Sequence, residues 1–216
     1  MAGQTEAILT RILEGIDRGE LNPGDPIEEK ALIEAYGVSR TPLREAIIRL
    51  EAMGLVHRPP RKGAVLIKPT LEEFLAILEV HAKLEGQAAG LAARRHGAQD
   101  LARIEAVVAA CEAHAAERGD GDPEAYYQLN LRFHEAVALA AGNPVLVDTI
   151  KTNARKLLAY YRARYRYAGA IASSARDHRT MVELIRDRKA DEAEAFMAGH
   201  VQFDQITAMD LLAVLS

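Results

Sequence analysis

The chain has 216 residues, 49% of them hydrophobic and 27% charged, an ordinary composition for a globular protein of one large or two small domains. It has no apolar run of the about 18–20 residues that span a membrane and no secretory signal, and its single cysteine, Cys111, excludes an intrachain disulfide. We therefore expect a cytoplasmic protein without a membrane partner.

The net charge of −4 is an average that hides a basic block. Residues 39–69 hold seven basic and two acidic side chains, whereas residues 1–38 hold three basic and eight acidic side chains. Such a block favours nucleic-acid binding.

Three helices and a hairpin are predicted before the middle of the chain. The first helix spans about 5–19, and a second, short helix ends at Gly37. Ser39 can cap a third helix, and two strands within residues 55–67 flank a basic turn that contains glycine. The predicted buried face of the third helix consists of Leu43, Ile47 and Leu50. This order of elements is typical of a winged helix-turn-helix domain.

Only helices are predicted after the hairpin. Capping residues followed by proline mark two helix starts, at Asp122-Pro123 and Asn143-Pro144. The six predicted helices span about 71–95, 99–118, 123–141, 144–167, 174–187 and 190–213. The predicted fold is therefore mainly α, with a winged helix-turn-helix domain over residues 1–69 and an all-α antiparallel helical bundle over residues 70–216.

The third helix carries side chains suited to reading DNA. Its start presents Ser39, Arg40, Thr41 and Arg44, and the two arginines share one face because they are four residues apart. Arginine can donate two hydrogen bonds to guanine in the major groove, and hydroxyl groups can bind phosphates or bases. The alternative is a helical domain with a solvated basic face, which the agreement of helices, turn, hairpin and charge disfavours.

One stretch of the first domain is distinctive. It reads Gly37-Val38-Ser39-Arg40-Thr41-Pro42-Leu43-Arg44-Glu45-Ala46 and continues with Leu50, Gly54-Leu55-Val56 and Gly63. It resembles the DNA-binding domain of the GntR family of bacterial repressors, and the resemblance covers the whole first domain. The resemblance implies operator contacts from Lys30, Ser39, Arg40, Thr41, Arg44, Arg61, Lys62 and Gly63. Pro42 stands where relatives can carry a polar residue, which removes one contact.

Three histidines are predicted to point into the helical bundle from three different helices. His134 shares a helix face with Asn130 four residues earlier, and His178 and His200 each lie in an apolar stripe. A single histidine in such a stripe usually only packs in the core. Three of them favour a site for zinc or a similar divalent metal, because converging imidazoles are common ligands of such ions in bundles.

The second domain also resembles a known family. The residues that carry the resemblance are Leu84-Glu85, Ala88-Ala89, Leu91-Ala92-Ala93, Asn130, Phe133-His134, Ala141-Gly142-Asn143, Asp177-His178-Arg179 and His200. They resemble the FCD ligand-binding domain of the FadR-like branch, and six helices resemble its VanR-type subgroup. The resemblance implies a divalent metal, zinc before nickel or manganese, held by Asn130, His134, His178 and His200.

Two positions depart from the family pattern. Asn130 replaces an aspartate, so the site carries one more positive charge, which could favour an anionic effector. His81 replaces an arginine that reaches the effector's carboxylate in relatives, and here it would bind effector, ligate metal or pack in the core. An inward Arg155 or Arg162 could also pair with an effector carboxylate, although both equally fit a solvated or dimer-facing surface.

These predictions combine into a bacterial transcription regulator. We expect a homodimeric repressor of a pseudo-palindromic operator, since one recognition helix reads only about 3–4 base pairs. A small organic acid bound at the metal would release the DNA. One alternative is a sensor of the metal itself. A metalloenzyme fused to a DNA-binding domain is disfavoured, because we predict no inward carboxylate beside the histidines to act as a general base.

Overall fold

The computed structural model describes residues 2–60 and 63–202, and these cluster into two compact units that divide between Thr70 and Leu71. The elements of the first unit are α1 (Ala2–Arg18), α2 (Glu29–Tyr36), α3 (Arg40–Ala52), β1 (Val56–His57) and β2 (Val65–Leu66). The first unit thus has the predicted three helices followed by a hairpin.

Helices α1 and α3 form the core of the first unit. Isoleucines at every fourth position of α1 pack against the apolar face of α3, and the side chains on these two facing surfaces are almost completely buried. Between α2 and α3 the chain turns at Gly37, whose φ of 62° is left-handed and whose amide donates to the carbonyl of Ile33. These buried side chains are Ile8, Ile12, Ile16, Leu43, Ile47 and Leu50.

The hairpin pairs β1 and β2 antiparallel, with Val56 opposite Leu66. A third segment adds to it, because the amide of Leu66 donates to the carbonyl of Asp25 at 2.9 Å and the amide of Ile27 donates to that of Ala64 at 2.8 Å. The stretch from Asn22 to Pro26, predicted only as a helix-ending turn, therefore also fastens the hairpin.

The second unit contains seven helices within the described part of the chain. They are α4 (Leu71–Arg95), α5 (Ala98–Arg118), α6 (Pro123–Ala140), α7 (Pro144–Lys156), α8 (Leu158–Arg164), α9 (Ala170–Arg186) and α10 (Ala190–Val201). Helix α4 packs against α6, α7, α9 and α10, so that its buried face lies at the centre of the bundle. None of the helices in residues 2–60 and 63–202 is long and apolar enough to cross a membrane.

Two helix starts in the second unit are capped as predicted. The side chain of Asp122 accepts a hydrogen bond from the amide of Ala125 at 3.1 Å, and that of Asn143 accepts one from the amide of Leu146 at 3.2 Å. In both cases proline occupies the first turn. The cap at Asp122 fixes the start of α6, which carries Asn130 and His134.

One predicted helix is divided in the structure. The segment at 144–167 forms α7 and α8, separated at Leu157, so the prediction of six helices was one too few. Leu157 has φ −90° and ψ 0° and is completely buried, as is its neighbour Leu158. No glycine or proline lies at this break, so local propensity does not account for it, and the residues found there are the two buried leucines. The predicted extension of the last helix to residue 213 lies outside the described residues.

Candidate metal centre and nucleic-acid surface

The start of α3 separates polar from apolar side chains. Ser39, Arg40, Thr41 and Arg44 are exposed, whereas the opposite face of the helix is buried. Ser39 holds the capping position but makes no side-chain capping bond, which leaves its hydroxyl available to a ligand. Arg44 lies 4.0 Å from Glu29 in an exposed pair that is worth little and can open.

The remaining residues predicted to contact DNA lie on α2 and on the hairpin. Lys30 is exposed in the first turn of α2, and Gly63 is exposed with a left-handed φ of 70°. Arg61 and Lys62 lie outside the described residues. The described positions thus present hydroxyl groups and cations to solvent, a combination suited to phosphate and base contacts.

In the second unit, His134, His178 and His200 come together from α6, α9 and α10. Ligand nitrogens of the three lie within 4.8 Å of one another. Their ring centroids are 5.7 Å apart for His134 and His178, 5.6 Å for His134 and His200, and 5.0 Å for His178 and His200. Imidazoles that share a tetrahedral ion at about 2.0–2.1 Å hold their centroids about 5 Å apart. The cluster is therefore close to the spacing that an ion requires.

Burial keeps two of these imidazoles in the form that binds metal. It lowers the pKa of His178 well below its usual value, and the neighbouring His200 and His134 lower it further. Burial also lowers the pKa of His200, which the contact with Asp177 opposes only in part. Both rings are hence neutral at neutral pH, with a lone pair free on one nitrogen.

Several buried polar atoms beside the cluster have no hydrogen-bond partner among the described residues, among them Nδ1 of His134 and Oε2 of Glu85, which lie 3.3 Å apart. Two more belong to other proposed ligands, namely Oδ1 of Asn130, a residue only 5% exposed, and Nδ1 of the fully buried His178. Leaving such atoms unpaired costs about 1–3 kcal/mol each. A divalent cation would satisfy the last two, so the residues present fit the metal that the sequence predicted.

Each histidine of the cluster has a polar contact on one of its two ring nitrogens. Nδ1 of His200 lies 3.0 Å from a carboxylate oxygen of Asp177, and Nε2 of His178 lies 3.4 Å from Oγ of Ser174. Nδ1 of His134 lies 3.3 Å from Oε2 of Glu85.

Glu85 corrects the expectation that no carboxylate points inward beside the histidines. It is 1% exposed and contacts both His134 and, at 3.5 Å, Nε2 of His81. Burial alone would raise its pKa, but His134, together with His81 and His200, outweighs burial and holds the pKa of the carboxyl below its usual value. The signal was present in the sequence, since Glu85 follows the inward His81 by one helical turn.

The predicted effector residues occupy different surroundings. His81 is buried, with Nε2 against Glu85 and its ring 6.2 Å from that of Tyr161. Arg162 pairs with Glu124 at 2.9 Å and lies over the ring of Tyr127, and Arg155 is half-buried on α7.

Sequence reasoning passed over Arg164, which lies beside the cluster. Its guanidinium donates to the carbonyl of His200 at 3.2 Å. This places a cation of α8 next to the predicted metal ligands.

Comparisons with known proteins agree with both units. Residues 4–66 match the bacterial regulatory proteins of the gntR family, and residues 76–203 match the FCD domain. The chain belongs to the GntR family and carries an FCD domain. It is a DNA-binding transcriptional regulator, and this family consists of regulators and not of enzymes. FCD domains often bind metal.

Individual relatives support the same assignment. The Nta operon transcriptional regulator of Aminobacter aminovorans is 30% identical over 186 residues, 85% of each chain. The galactonate operon transcriptional repressor of Escherichia coli is 26% identical and covers 88% of this chain and 90% of its own. Among solved structures, E. coli McbR/YncC superposes over the whole of both chains with a TM-score of 0.82 at 19% identity, which supports the fold.

Proposed function

We propose that this GntR regulator is a homodimeric repressor of a pseudo-palindromic operator, released when a small organic acid binds at a divalent metal in its FCD domain. The observation that carries the proposal is the convergence of His134, His178 and His200 beside the unpaired oxygen of Asn130. Repression is supported by relatives named as repressors of the galactonate and, in Paenarthrobacter nicotinovorans, D-xylose utilization operons.

The exposed start of α3 is the proposed reading surface. Arg40 and Arg44 would contact guanine edges, while Ser39, Thr41 and Lys30 would fix the helix on the backbone. The wing at Arg61, Lys62 and Gly63 would contact the backbone or the minor groove. All of these proposed DNA contacts belong to one helix-turn-helix and its wing, which reads a single half-site. A second protomer would therefore have to bind the second half-site.

The four proposed metal ligands are Asn130, His134, His178 and His200. When bound, zinc or a similar ion supplies a Lewis acid that attracts a carboxylate. Burial keeps His178 and His200 neutral, and Asn130 offers a neutral amide oxygen in place of a carboxylate. An open coordination position on the ion would accept an anionic effector, for which His81, Arg155 and Arg162 are the further proposed contacts.

The DNA surface is tested by replacing the two arginines together. Each bidentate contact to guanine is worth about 1–3 kcal/mol, so Arg40→Ala with Arg44→Ala should weaken binding to a duplex selected by the wild type from a random library at least about 30-fold. Fluorescence anisotropy at moderate salt measures the change. Arg49→Ala, on the same helix but paired with Glu6, is the matched control. Unchanged affinity in the double variant would assign the reading helix elsewhere.

The metal site is tested by elemental analysis of the purified protein. The double variant His134→Ala, His178→Ala should lose bound metal, whereas His57→Ala, which changes an exposed histidine of the hairpin, should retain it. Adding metal to the stripped wild type without any metabolite separates two functions. A change in operator affinity under that condition would favour a sensor of the metal over a sensor of an organic acid.

A further inference from the structure

The structure points to a specific coordination mode for this metal centre, which rests on the function proposed above. We infer that His134 and His200 bind the ion through Nε2 and His178 binds it through Nδ1, and that Glu85 and Asp177 are positioning residues that impose this pattern. Neither carboxylate touches the ion in this arrangement. Each acts through the histidine in front of it.

The first part of the argument is the contact between α4 and α6. Glu85 lies against His134 on Nδ1, at 3.3 Å but without hydrogen-bond geometry, so Nε2 is the nitrogen of this ring that points away from the carboxylate. Because the carboxylate is almost completely buried and cannot be solvated by water, its energy depends on accepting N–H bonds. Ionised Glu85 therefore stabilises the tautomer of His134 that carries its proton on Nδ1.

The other two histidines are arranged in opposite senses. Asp177 contacts Nδ1 of His200, so Nε2 of this ring is the nitrogen available to the ion. Ser174 contacts Nε2 of His178, so Nδ1, which is buried without a partner among the described residues, is available there. The hydroxyl of Ser174 is itself 3.3 Å from that of Tyr165, so it can donate to one neighbour while it accepts from His178. All three rings thus have an orienting partner on the nitrogen opposite the one assigned to the ion.

Charge gives the two carboxylates a second effect. The amide of Asn130 and the three imidazoles bring no negative charge to a divalent ion. Glu85 and Asp177 place two anions directly behind two of the imidazoles, which makes those rings better donors. The negative charge that Asn130 does not provide is therefore supplied one residue further from the ion.

Metal affinity tests the role of the carboxylates. Glu85→Gln and Asp177→Asn keep the size of each side chain and remove its charge, and loss of such a partner typically weakens metal binding about 10–100-fold. Zinc affinity of the full chain is measured by competition with a chromophoric chelator at neutral pH. Glu112→Gln, which removes a carboxylate that pairs with Arg179 on the α5–α9 side, is the control and should bind as the wild type does. The thermal midpoints of the metal-free variants report whether each is folded.

The ring nitrogens are tested on the wild type, which avoids any loss of fold. Long-range ¹⁵N–¹H NMR spectra of zinc-loaded protein labelled at histidine should show the proton on Nδ1 in His134 and His200 and on Nε2 in His178. The opposite pattern at any of the three would overturn the assignment. Affinities of Glu85→Gln and Asp177→Asn within twofold of wild type would overturn the positioning roles while leaving the metal site intact. Failure of the wild type to take up zinc would instead overturn the site together with this inference.

Discussion

At the scale of single residues, burial decides which side chains of the second unit can react. Cys111 on α5 is completely buried, and burial raises the pKa of its thiol to about 12, with the adjacent Glu112 carboxylate adding to the effect. The thiolate is the nucleophilic form of cysteine, so a raised pKa keeps this side chain in the unreactive form at physiological pH.

This burial predicts a simple labelling result. Native protein at pH 8–9 should react with iodoacetamide far more slowly than the same protein unfolded in urea, where the thiol regains a pKa near its usual 8.5. Mass spectrometry counts the added groups, and the unfolded chain should gain one, since Cys111 is its only cysteine. Equal rates in the two states would contradict a buried thiol.

Glu85 shows what a single sequence leaves open at this scale. Helical periodicity places His134, His178 and His200 on inward faces, and the structure brings them together. The same periodicity places Glu85 inward, but a carboxylate is usually solvent-exposed unless it has partners. Its partner His134 lies on another helix, and the pairing of α4 with α6 cannot be read from spacing along one helix. The positions of the histidines and the inward direction of Glu85 were therefore predictable, whereas the pairing of Glu85 with His134 was not.

At the scale of elements, the closeness of α4 and α10 depends on glycine. A Cβ added at Gly86 would lie 2.8 Å from the carbonyl oxygen of Glu194 and 3.1 Å from Cβ of Ala198. The first of these distances is too short for a carbon–oxygen contact with a backbone atom. The two helices could accommodate a larger residue only by moving apart, which would shift His200 on α10 and Glu85 on α4.

Gly86→Ala should therefore destabilise the second unit by about 1–3 kcal/mol, the usual cost of overpacking a close contact. Gly199→Ala on α10 is a matched control, because a Cβ there meets nothing within 4 Å. Its higher helix propensity should leave stability unchanged or raise it by up to about 1 kcal/mol. Thermal unfolding of the two metal-free variants measures both effects. A midpoint for Gly86→Ala at or above that of wild type would show that the helices are less tightly packed than described.

Local sequence signals account for element boundaries only where a residue acts by itself. Asp122 and Asn143 cap their own helices, so both starts were predicted and are confirmed. The break at Leu157 has no local signal, since neither glycine nor proline lies there. The residues at this point are two consecutive buried leucines, whose burial depends on contacts with other parts of the chain. The third segment of the hairpin also has no local signal and was not predicted. Its hydrogen bonds join residues about 40 positions apart in the chain.

At the scale of the whole molecule, the proposed DNA recognition would require more than one protomer. The positive charge of the first unit is concentrated in residues 39–69, with seven basic side chains against two acidic ones. In the proposed function, this block would provide a few phosphate contacts and one reading helix. Such a helix would cover about 3–4 base pairs, too few to distinguish one site from the many others in a genome. Two copies that read half-sites about one helical turn apart would double the number of specified bases.

A homodimer predicts a steep dependence on the second half-site. Because each mismatched base pair costs about 1–3 kcal/mol, scrambling one half of a selected palindromic duplex should weaken wild-type binding at least about 100-fold, toward the level of nonspecific DNA. Scrambling the same number of bases outside both half-sites is the control and should change affinity little. Anisotropy titrations at fixed salt compare the duplexes, and light scattering gives the mass of the bound protein. If the scrambled half-site left affinity unchanged and the complex contained one chain of 23.6 kDa, recognition would come from a single reading helix, and the proposed dimer would be wrong.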